Sequence, residues 1–352
     1  MTPLEWREGV VRFLDQTKLP AREEIVETSD YRIIAEAIKR LAIRGAPLIG
    51  IAAAYGVALA AFHCAEQNAK RINDCLEKVI ATLAGTRPTA VNLFWALERQ
   101  RAVVSRVGAD SLPILRQSLV DEAIAIHRED AEMCEAIGKH GSEILPHAAT
   151  ILTHCNAGAL ATGGIGTALG VIRMAWEMKK LKHVYVDETR PLLQGSRLTA
   201  WELQQLDIPY TLLPDNAAAF LMQRGLVSAV VVGADRVAHN GDVANKVGTY
   251  GLAIAARHHR IPFYVAAPVS TIDFAITRGS EIPIEQRRSE ELTEFNGVSV
   301  APPGVEVYSP AFDVTPHDLI TAMITNASVV WNPNAESMAV LKSKLAQAST
   351  GR

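Results

Sequence analysis

The chain is poor in the features that would commit it to a specialised class. Neither sign of charge is in excess: Lys and Arg total 35 against 38 Asp and Glu, a net charge of −3 over 352 residues. The basic residues are spread along the chain, so nothing favours nucleic acid or an anionic membrane as a partner. Cysteine is scarce. The four present, Cys64, Cys75, Cys134 and Cys155, show no CxxC and no Cys/His metal spacing. In so long a chain they do not make a disulfide framework, and reduced thiols in a cytoplasmic protein are expected. No apolar stretch follows a basic start, because Glu5, Arg7 and Glu8 come early, and no signal peptide is expected. The longest apolar segment, Ala46–Cys64, is interrupted by Pro47, Gly50, Tyr55 and Gly56, and reads as a buried core helix rather than a membrane span. There is no internal repeat and no low-complexity tract.

What remains is an ordinary globular composition, 49% hydrophobic and 21% charged, in a length that suits two domains. Residues Leu4–Phe13 alternate around Glu8-Gly9 and suggest a small hairpin. From Ser29 to about His140 the pattern is helical: Asp30 is placed to cap Tyr31–Ala42, and Pro47 suits the first turn of Leu48–Phe62. Ala65–Ala84, Pro88–Val107 and Leu112–His140 continue the helical period. Four apolar, β-branched runs follow, each ending in a polar cluster: Thr150–Thr153, His183–Val186, Ala229–Val232 and Phe263–Val265. Separated by helix-length segments, they read as buried parallel strands. The fold expected is α/β: an N-terminal, mostly helical domain with a small β hairpin (1–140), then a C-terminal doubly wound parallel, Rossmann-like catalytic domain (141–352). The boundary is placed where Gly141–His147 interrupts the long helix. Arg278–Pro310 reads as a surface loop with one short helix, and Val329–Trp331 as a last strand.

In open α/β sheets the ligand crevice lies at the carboxyl ends of the strands, which directs attention to the polar clusters. Cys155, followed by Asn156-Ala157-Gly158, sits where a thiol would face a ligand. A free cysteine is otherwise a small buried hydrophobe. His154 alternates to the other face of its strand and reads as structural. Asp235 follows so apolar a strand that its carboxyl should be desolvated and its pKa raised, which suits general acid work; the alternative is an ion pair with Arg236. Arg44-Gly45-Ala46-Pro47 opens a helix, where free N–H groups, the dipole and an arginine fork suit an anion. The alternative is a plain turn and cap. Arg87, in Gly85-Thr86-Arg87-Pro88-Thr89, repeats the theme. Asn245 and Lys246, read as opening the helix that runs to His258, make a third anion or hydroxyl contact. Gln194 has donor and acceptor groups suited to sugar hydroxyls. The alternative for its neighbourhood, from Asp187 to Arg197, is a solvated turn with internal salt bridges. The Gly-rich Thr162–Gly170 stretch has GxGxxxG rather than GxGxxG spacing, with Asp187 near the distance expected of a ribose-binding acid. A nicotinamide site therefore stays open as the weakest reading.

Long stretches of the chain resemble the methylthioribose-1-phosphate isomerases, a family that also contains regulatory subunits of a eukaryotic initiation factor for guanine-nucleotide exchange. The resemblance lies in LDQTKLP (14–20), IRGAPLIGIAAAYG (43–56), GTRPTAVNL (85–93) and ILTHCNAGALAT (151–162). It continues in VYVDETRPLLQGSRLTAWEL (184–203), VVGADRVAHNGDVANKVGTY (231–250), IPFYVAAPVSTID (261–273) and PAFDVTP (310–316). Tyr308-Ser309 departs from the asparagine usual before PAFDVTP. The resemblance implies an active-site cysteine at Cys155 and a proton-donating aspartate at Asp235. It implies phosphosugar contacts at Arg44, Gly45, Ala46, Arg87, Gln194, Asn245 and Lys246. It also implies a homodimer, for which the apolar N-terminal helices offer an interface. The implied reaction turns 5-methylthio-D-ribose 1-phosphate into the ketose phosphate in methionine salvage. It needs no metal or organic cofactor. Isomerases of 5-deoxyribose 1-phosphate or ribose 1,5-bisphosphate, and a non-catalytic regulatory subunit, are the competing expectations. A binding module would not need the thiol–carboxylate pair.

Overall fold

The structure, a computed structural model, describes residues 2–64, 69–87, 90–108 and 111–350. The expected hairpin forms as β1 (Leu4–Arg7) and β2 (Val10–Leu14), but β3 (Ile25–Thr28) joins it, antiparallel to β2, making a three-stranded sheet. Helices α1 (Tyr31–Lys39), α2 (Ala46–Phe62), α3 (Ala69–Ala84), α4 (Val91–Val107) and α5 (Leu112–Ile144) follow. The first residues of the expected Ala65–Ala84 helix, and Pro88-Thr89, lie outside the described residues. Asp30 caps α1 as expected, its carboxylate accepting from the Arg32 N–H at 2.9 Å. Helix α2 is apolar all round, and all but two of its residues are buried among α1, α3, α4 and α5. Each buried Ile or Leu there contributes about 1.5–3 kcal/mol.

The helix expected to end at His140 runs on through Gly141 to Ile144, and stops within the Gly141–His147 stretch where the interruption was placed. Its glycines serve close packing instead, since a Cβ on Gly141 would lie 2.3 Å from Val171 of α6 (Ala168–Glu177).

The four expected strands form as β4 (Ala149–Thr153), β5 (Leu181–Asp187), β7 (Ala229–Val232) and β10 (Phe263–Ala266). With β6 (Tyr210–Leu213) and β15 (Ala322–Ile324) they make a six-stranded parallel array, and β16 (Val329–Trp331) closes one edge antiparallel to β15. The spatial order is β16-β15-β10-β7-β4-β5-β6. Its parallel strands follow the 3-2-1-4-5-6 order of doubly wound sheets. The order reverses between β4 and β7. Helices α6, α7 (Ala200–Gln205), α8 (Ala218–Gln223) and α9 (Thr249–His258) connect the strands, and α11 (Ala335–Thr350) follows the last.

A second sheet was not foreseen. It has the order β11 (Ile272–Asp273), β8 (Arg236–Ala238), β9 (Val243–Lys246), β14 (Phe312–Thr315) and stands beyond the carboxyl ends of β7 and β10. Between its members, the 278–310 segment holds the short helix α10 (Glu290–Thr293) and a small hairpin, β12 (Glu294–Phe295) with β13 (Val298–Ser299). Among the described residues no helix is long and apolar enough to cross a membrane.

The turn after β5 returns so tightly that a Cβ on Gly195 would meet the Asp187 carbonyl oxygen at 1.7 Å. Gly195→Ala should therefore lower the unfolding free energy by about 3 kcal/mol. Gly251→Ala, on α9 where a Cβ meets nothing within 4 Å, should raise it by about 0.5–1 kcal/mol. Urea unfolding of the two variants checks both signs.

Candidate active site

The reversal of strand order puts the loops after β4 and β7 side by side, and these loops carry Cys155 and Asp235. Cys155 is a non-glycine residue at φ +62°, a conformation that costs about 1–3 kcal/mol unless its surroundings hold it. Two threonines do so. Its N–H donates to Thr189 Oγ1 (2.8 Å) and its carbonyl accepts from Thr199 Oγ1 (2.6 Å). Asp235 is anchored through its N–H to the Ala244 carbonyl of β9 (2.9 Å). Arg236 turns away to Asp273 at 3.6 Å, so the alternative, an Asp235–Arg236 ion pair, is not what forms.

Both residues line a cavity of about 240 Å³, together with Arg44, Gly45, Ala46, Arg87, Gln194 and Lys246. A smaller adjoining pocket of about 30 Å³ shares Arg44, Cys155 and Asp235 and adds Asn245. Eight of the nine residues proposed from sequence thus line the larger cavity, and Asn245 lines the smaller one beside it.

Two of them arrive by a different route from the one expected. Asn245 and Lys246 do not open a helix; they end β9, hydrogen-bonded to β8 and β14. Helix α9 starts at Thr249, after Gly248 at φ +106°. That glycine was the signal, and a Cβ there would strike the His154 ring at 2.9 Å. Gly45, at φ +96°, is the N-cap of α2 and lies so close to Ala161 that a Cβ would sit at 2.5 Å. It opens the helix N-terminus onto the cavity.

The cations are held in different ways. Arg87 pairs with Glu285 at 3.1 Å, while its Nε is buried without a hydrogen-bond partner among the described residues. Lys246 is buried with its Nζ 5.0 Å above the Phe312 ring. Arg44 donates to Asn156 twice, from Nη1 to Oδ1 (2.5 Å) and from Nη2 to the main-chain carbonyl (2.9 Å). Asn156 is in turn oriented by Glu202, whose carboxylate accepts from Asn156 Nδ2 (2.8 Å) and from the N–H groups of Ala159 (2.7 Å) and Leu160 (3.2 Å). Asn156 and Glu202 escaped the sequence reading. The first had only its place beside Cys155 as a signal, and the second had none, being one acid in a short helix.

Burial dominates the electrostatics. It pushes the Cys155 thiol up, against the pull of Arg44 and Lys246. It raises the Asp235 carboxyl, against Lys246, Arg44 and Arg87. It lowers Lys246, which Cys155 and Asp235 oppose. Solvent exclusion therefore favours the neutral form of each group.

The remaining candidates serve the frame. His154 is tied at both nitrogens, Nδ1 to Asp187 Oδ2 and Nε2 to the Val247 carbonyl, each 2.9 Å. His154, Asp187 and Asp215 are the grouping that could hold a metal among the described residues. The two Asp215 oxygens, however, already accept from the Thr189 and Arg190 N–H groups at 2.7 Å. The Gly-rich loop packs on α5 rather than presenting a phosphate cradle. The Gly163 N–H donates to Asp130 Oδ2 (2.6 Å), its carbonyl meets His127 Nε2 (3.1 Å), and a Cβ on Gly164 would lie 2.8 Å from Ala131.

The sequence profile of the Initiation factor 2 subunit family matches residues 42–331. A methylthioribose-1-phosphate isomerase of Desulforamulus reducens is 52% identical over 339 residues, 96% of this chain and 98% of that one. The crystal structure of 5-methylthioribose 1-phosphate isomerase from Pyrococcus horikoshii superposes with a TM-score of 0.91 at 45% identity, covering 97% of this chain and 96% of that one. A structure titled translation initiation factor eIF-2B, subunit delta, from A. fulgidus gives 0.85 at 42% identity, covering 96% and 99%.

Freeing Arg44 from its support tests whether this wall of the cavity binds an anion. Asn156→Ala should weaken binding of inorganic phosphate about tenfold, the scale of one hydrogen bond to a charged group. Titration calorimetry of wild type and variant measures it, and unchanged affinity would mean Arg44 does not hold the anion.

Proposed function

Because the chain belongs to the Initiation factor 2 subunit family and matches that family's methylthioribose-1-phosphate isomerases over nearly its whole length, we infer that it is an aldose–ketose isomerase. It converts 5-methylthio-D-ribose 1-phosphate into 5-methylthio-D-ribulose 1-phosphate in methionine salvage. One observation supports the siting of this activity above the rest. A thiol and a desolvated carboxyl border one cavity at the strand-order reversal, with Arg44, Arg87 and Lys246 around them. A regulatory subunit would use the cations but has no need of that pair. The phosphate falls to Arg44, Arg87, Lys246 and the α2 N-terminus formed by Gly45 and Ala46, with Asn245 and Gln194 taking sugar oxygens. The protein works as a cytoplasmic homodimer in this reading.

Phosphate on the anomeric oxygen prevents the ring from opening as a free hemiacetal does, so the ring oxygen must be protonated as its bond to C1 breaks. Asp235 is the donor. Burial keeps its carboxyl protonated above the usual carboxylate range, as a general acid requires. Hydrogen then moves from C2 to C1, and the 2-hydroxyl gives up its proton as the C2 carbonyl forms. The Asp235 carboxylate left by the first step is available to take that proton back. The same burial that raises the Cys155 thiol disfavours a thiolate base. We therefore favour hydride migration within a dry cavity, with Cys155 as a neutral neighbour of the migrating centre.

Product formation followed by NMR tests the reading. Cys155→Ser and Asp235→Asn should each lose most of the turnover while remaining folded, and near-wild-type rates in either would refute its role. With substrate deuterated at C2, the label should be retained at C1 of the ketose; wash-in of solvent hydrogen would point to proton transfer instead.

The pH profile has a definite sign. The active Asp235 is protonated, so kcat is full below its folded pKa and falls as pH rises through it. That alkaline limb should lie above the ordinary carboxylate range. A limb at or below that range would remove Asp235 as the acid.

A further inference from the structure

The turn after β2 brings Gln16 to the cavity wall, and no part of the site described so far uses it. Its residue is 1% exposed, and three of its four hydrogen-bonding groups are fixed to protein. The main-chain N–H donates to the Ala42 carbonyl (3.1 Å) and the main-chain carbonyl accepts from Arg197 Nη2 (2.7 Å). Nε2 donates to the Leu160 carbonyl (2.7 Å). That last bond settles which way the amide faces, because the reverse orientation would set oxygen against oxygen. The fourth group, Oε1, is buried without a hydrogen-bond partner among the described residues. An orphaned acceptor of this kind is expensive unless something arrives to satisfy it.

Gln194 repeats the pattern: it lines the same cavity, is 6% exposed, and its Oε1 is also buried without a hydrogen-bond partner among the described residues. One side chain joins the two segments. Arg197 donates from Nε to the Leu19 carbonyl (3.2 Å), from Nη1 to Leu192 (3.3 Å) and from Nη2 to Gln16. It thereby ties the Gln16 turn to the stretch that carries Gln194.

Resting on the isomerase reading above, we propose that Gln16 is a specificity-determining residue whose Oε1 accepts a hydrogen bond from the 3-hydroxyl of the sugar. An amide oxygen is too weak a base to take a proton. It therefore suits a hydroxyl that keeps its proton throughout the reaction. The 2-hydroxyl must lose its proton as the carbonyl forms, and belongs beside Asp235 and Cys155. The 3-hydroxyl keeps its own. Rigid fixation of Gln16 through its other three groups means that little ordering is required when substrate binds.

The test crosses Gln16→Met, which keeps the side-chain length and removes the amide, with 5-methylthio-3-deoxyribose 1-phosphate. On the parent substrate, kcat/KM should fall about tenfold in the variant, as expected for one neutral hydrogen bond together with the unpaired group it leaves. Wild type should lose a similar factor on the 3-deoxy analogue. Variant and wild type should then be nearly equal on that analogue, since the contact is already gone. If the variant loses the same factor on both substrates, or none on the parent, Gln16 does not read the 3-hydroxyl. Gln16→Asn, which keeps the amide on a shorter arm, should show the same convergence on the analogue if the Met variant fails to fold. Inactivity of the wild-type chain on the parent substrate would refute the isomerase reading itself, and this inference with it.

Discussion

Everything at this site depends on the reversal of strand order between β4 and β7. Neighbouring strands in a parallel sheet are bridged by helices on opposite faces where the order turns, and the loops at their carboxyl ends separate to leave a crevice. Here that crevice receives Cys155 from one strand and Asp235 from the other. The helical part of the chain supplies its opposite wall, with the α2 N-terminus, Arg44 and Arg87. The second sheet carries Lys246 and Phe312 in from the side. The groups that line the crevice lie far apart in sequence because the crevice is made by topology.

The same enclosure that makes a crevice buries the polar groups around it, and burial is costly for a polar group left unpaired. The frame answers this with hydrogen bonds that leave few options open. Cys155 keeps a left-handed backbone because Thr189 and Thr199 hold its N–H and its carbonyl. Thr199 Oγ1 also accepts from Asn156 Nδ2 (3.2 Å), so one hydroxyl serves both the thiol-bearing turn and the support of Arg44. Glu202 completes the series. All three groups that reach its carboxylate are donors, and only an acceptor-bearing carboxyl satisfies them. His154 stands behind, with its Nε2 facing a carbonyl that can only accept. One proton is therefore shared between His154 Nδ1 and Asp187 Oδ2, and β4, β5 and the end of β9 are joined through it.

Much of this could be read from the chain, for a definable reason. A buried parallel strand has no polar face to show, so β7 and β10 stand out as unbroken apolar runs, β4 and the second half of β5 as largely apolar, β-branched ones, and the polar cluster at the end of each marks a strand end. Cys155 and Asp235 were legible by position alone. Asn245 and Lys246 were found for the wrong reason: their strand is short and sits among Asn, Asp and Gly, which mimic a turn leading into a helix. β3, β6 and the second sheet were missed because strands of two to four residues are fixed by their partners rather than by local pattern. For Arg197 the sequence offered no more than the alternative of a solvated turn with internal salt bridges. It is a staple to three carbonyls, and only the tertiary structure brings those carbonyls to it. Glu202 and Gln16 matter through what they touch, and touching is not written in spacing.

The charge arrangement ties binding to chemistry. Within the proposed reading, Arg44 and Lys246 meet the phosphate, and both also hold the Asp235 pKa down against burial. Neither has a carboxylate in direct contact among the described ion pairs; the Arg44 contacts pass through Asn156. A phosphate settling on these cations screens them from Asp235 in a medium where screening by water is weak. The opposing pull is reduced, burial prevails, and the carboxyl becomes more firmly protonated when substrate is in place. The part of the substrate that does not react thus helps to load the proton that the reacting part requires, which is binding energy spent at the transition state rather than on affinity. A sugar lacking the phosphate would meet Asp235 with both cations still bare and its acid correspondingly weaker as a proton reservoir. On this argument the 1-phosphate sets the protonation state of the acid as well as the position of the sugar.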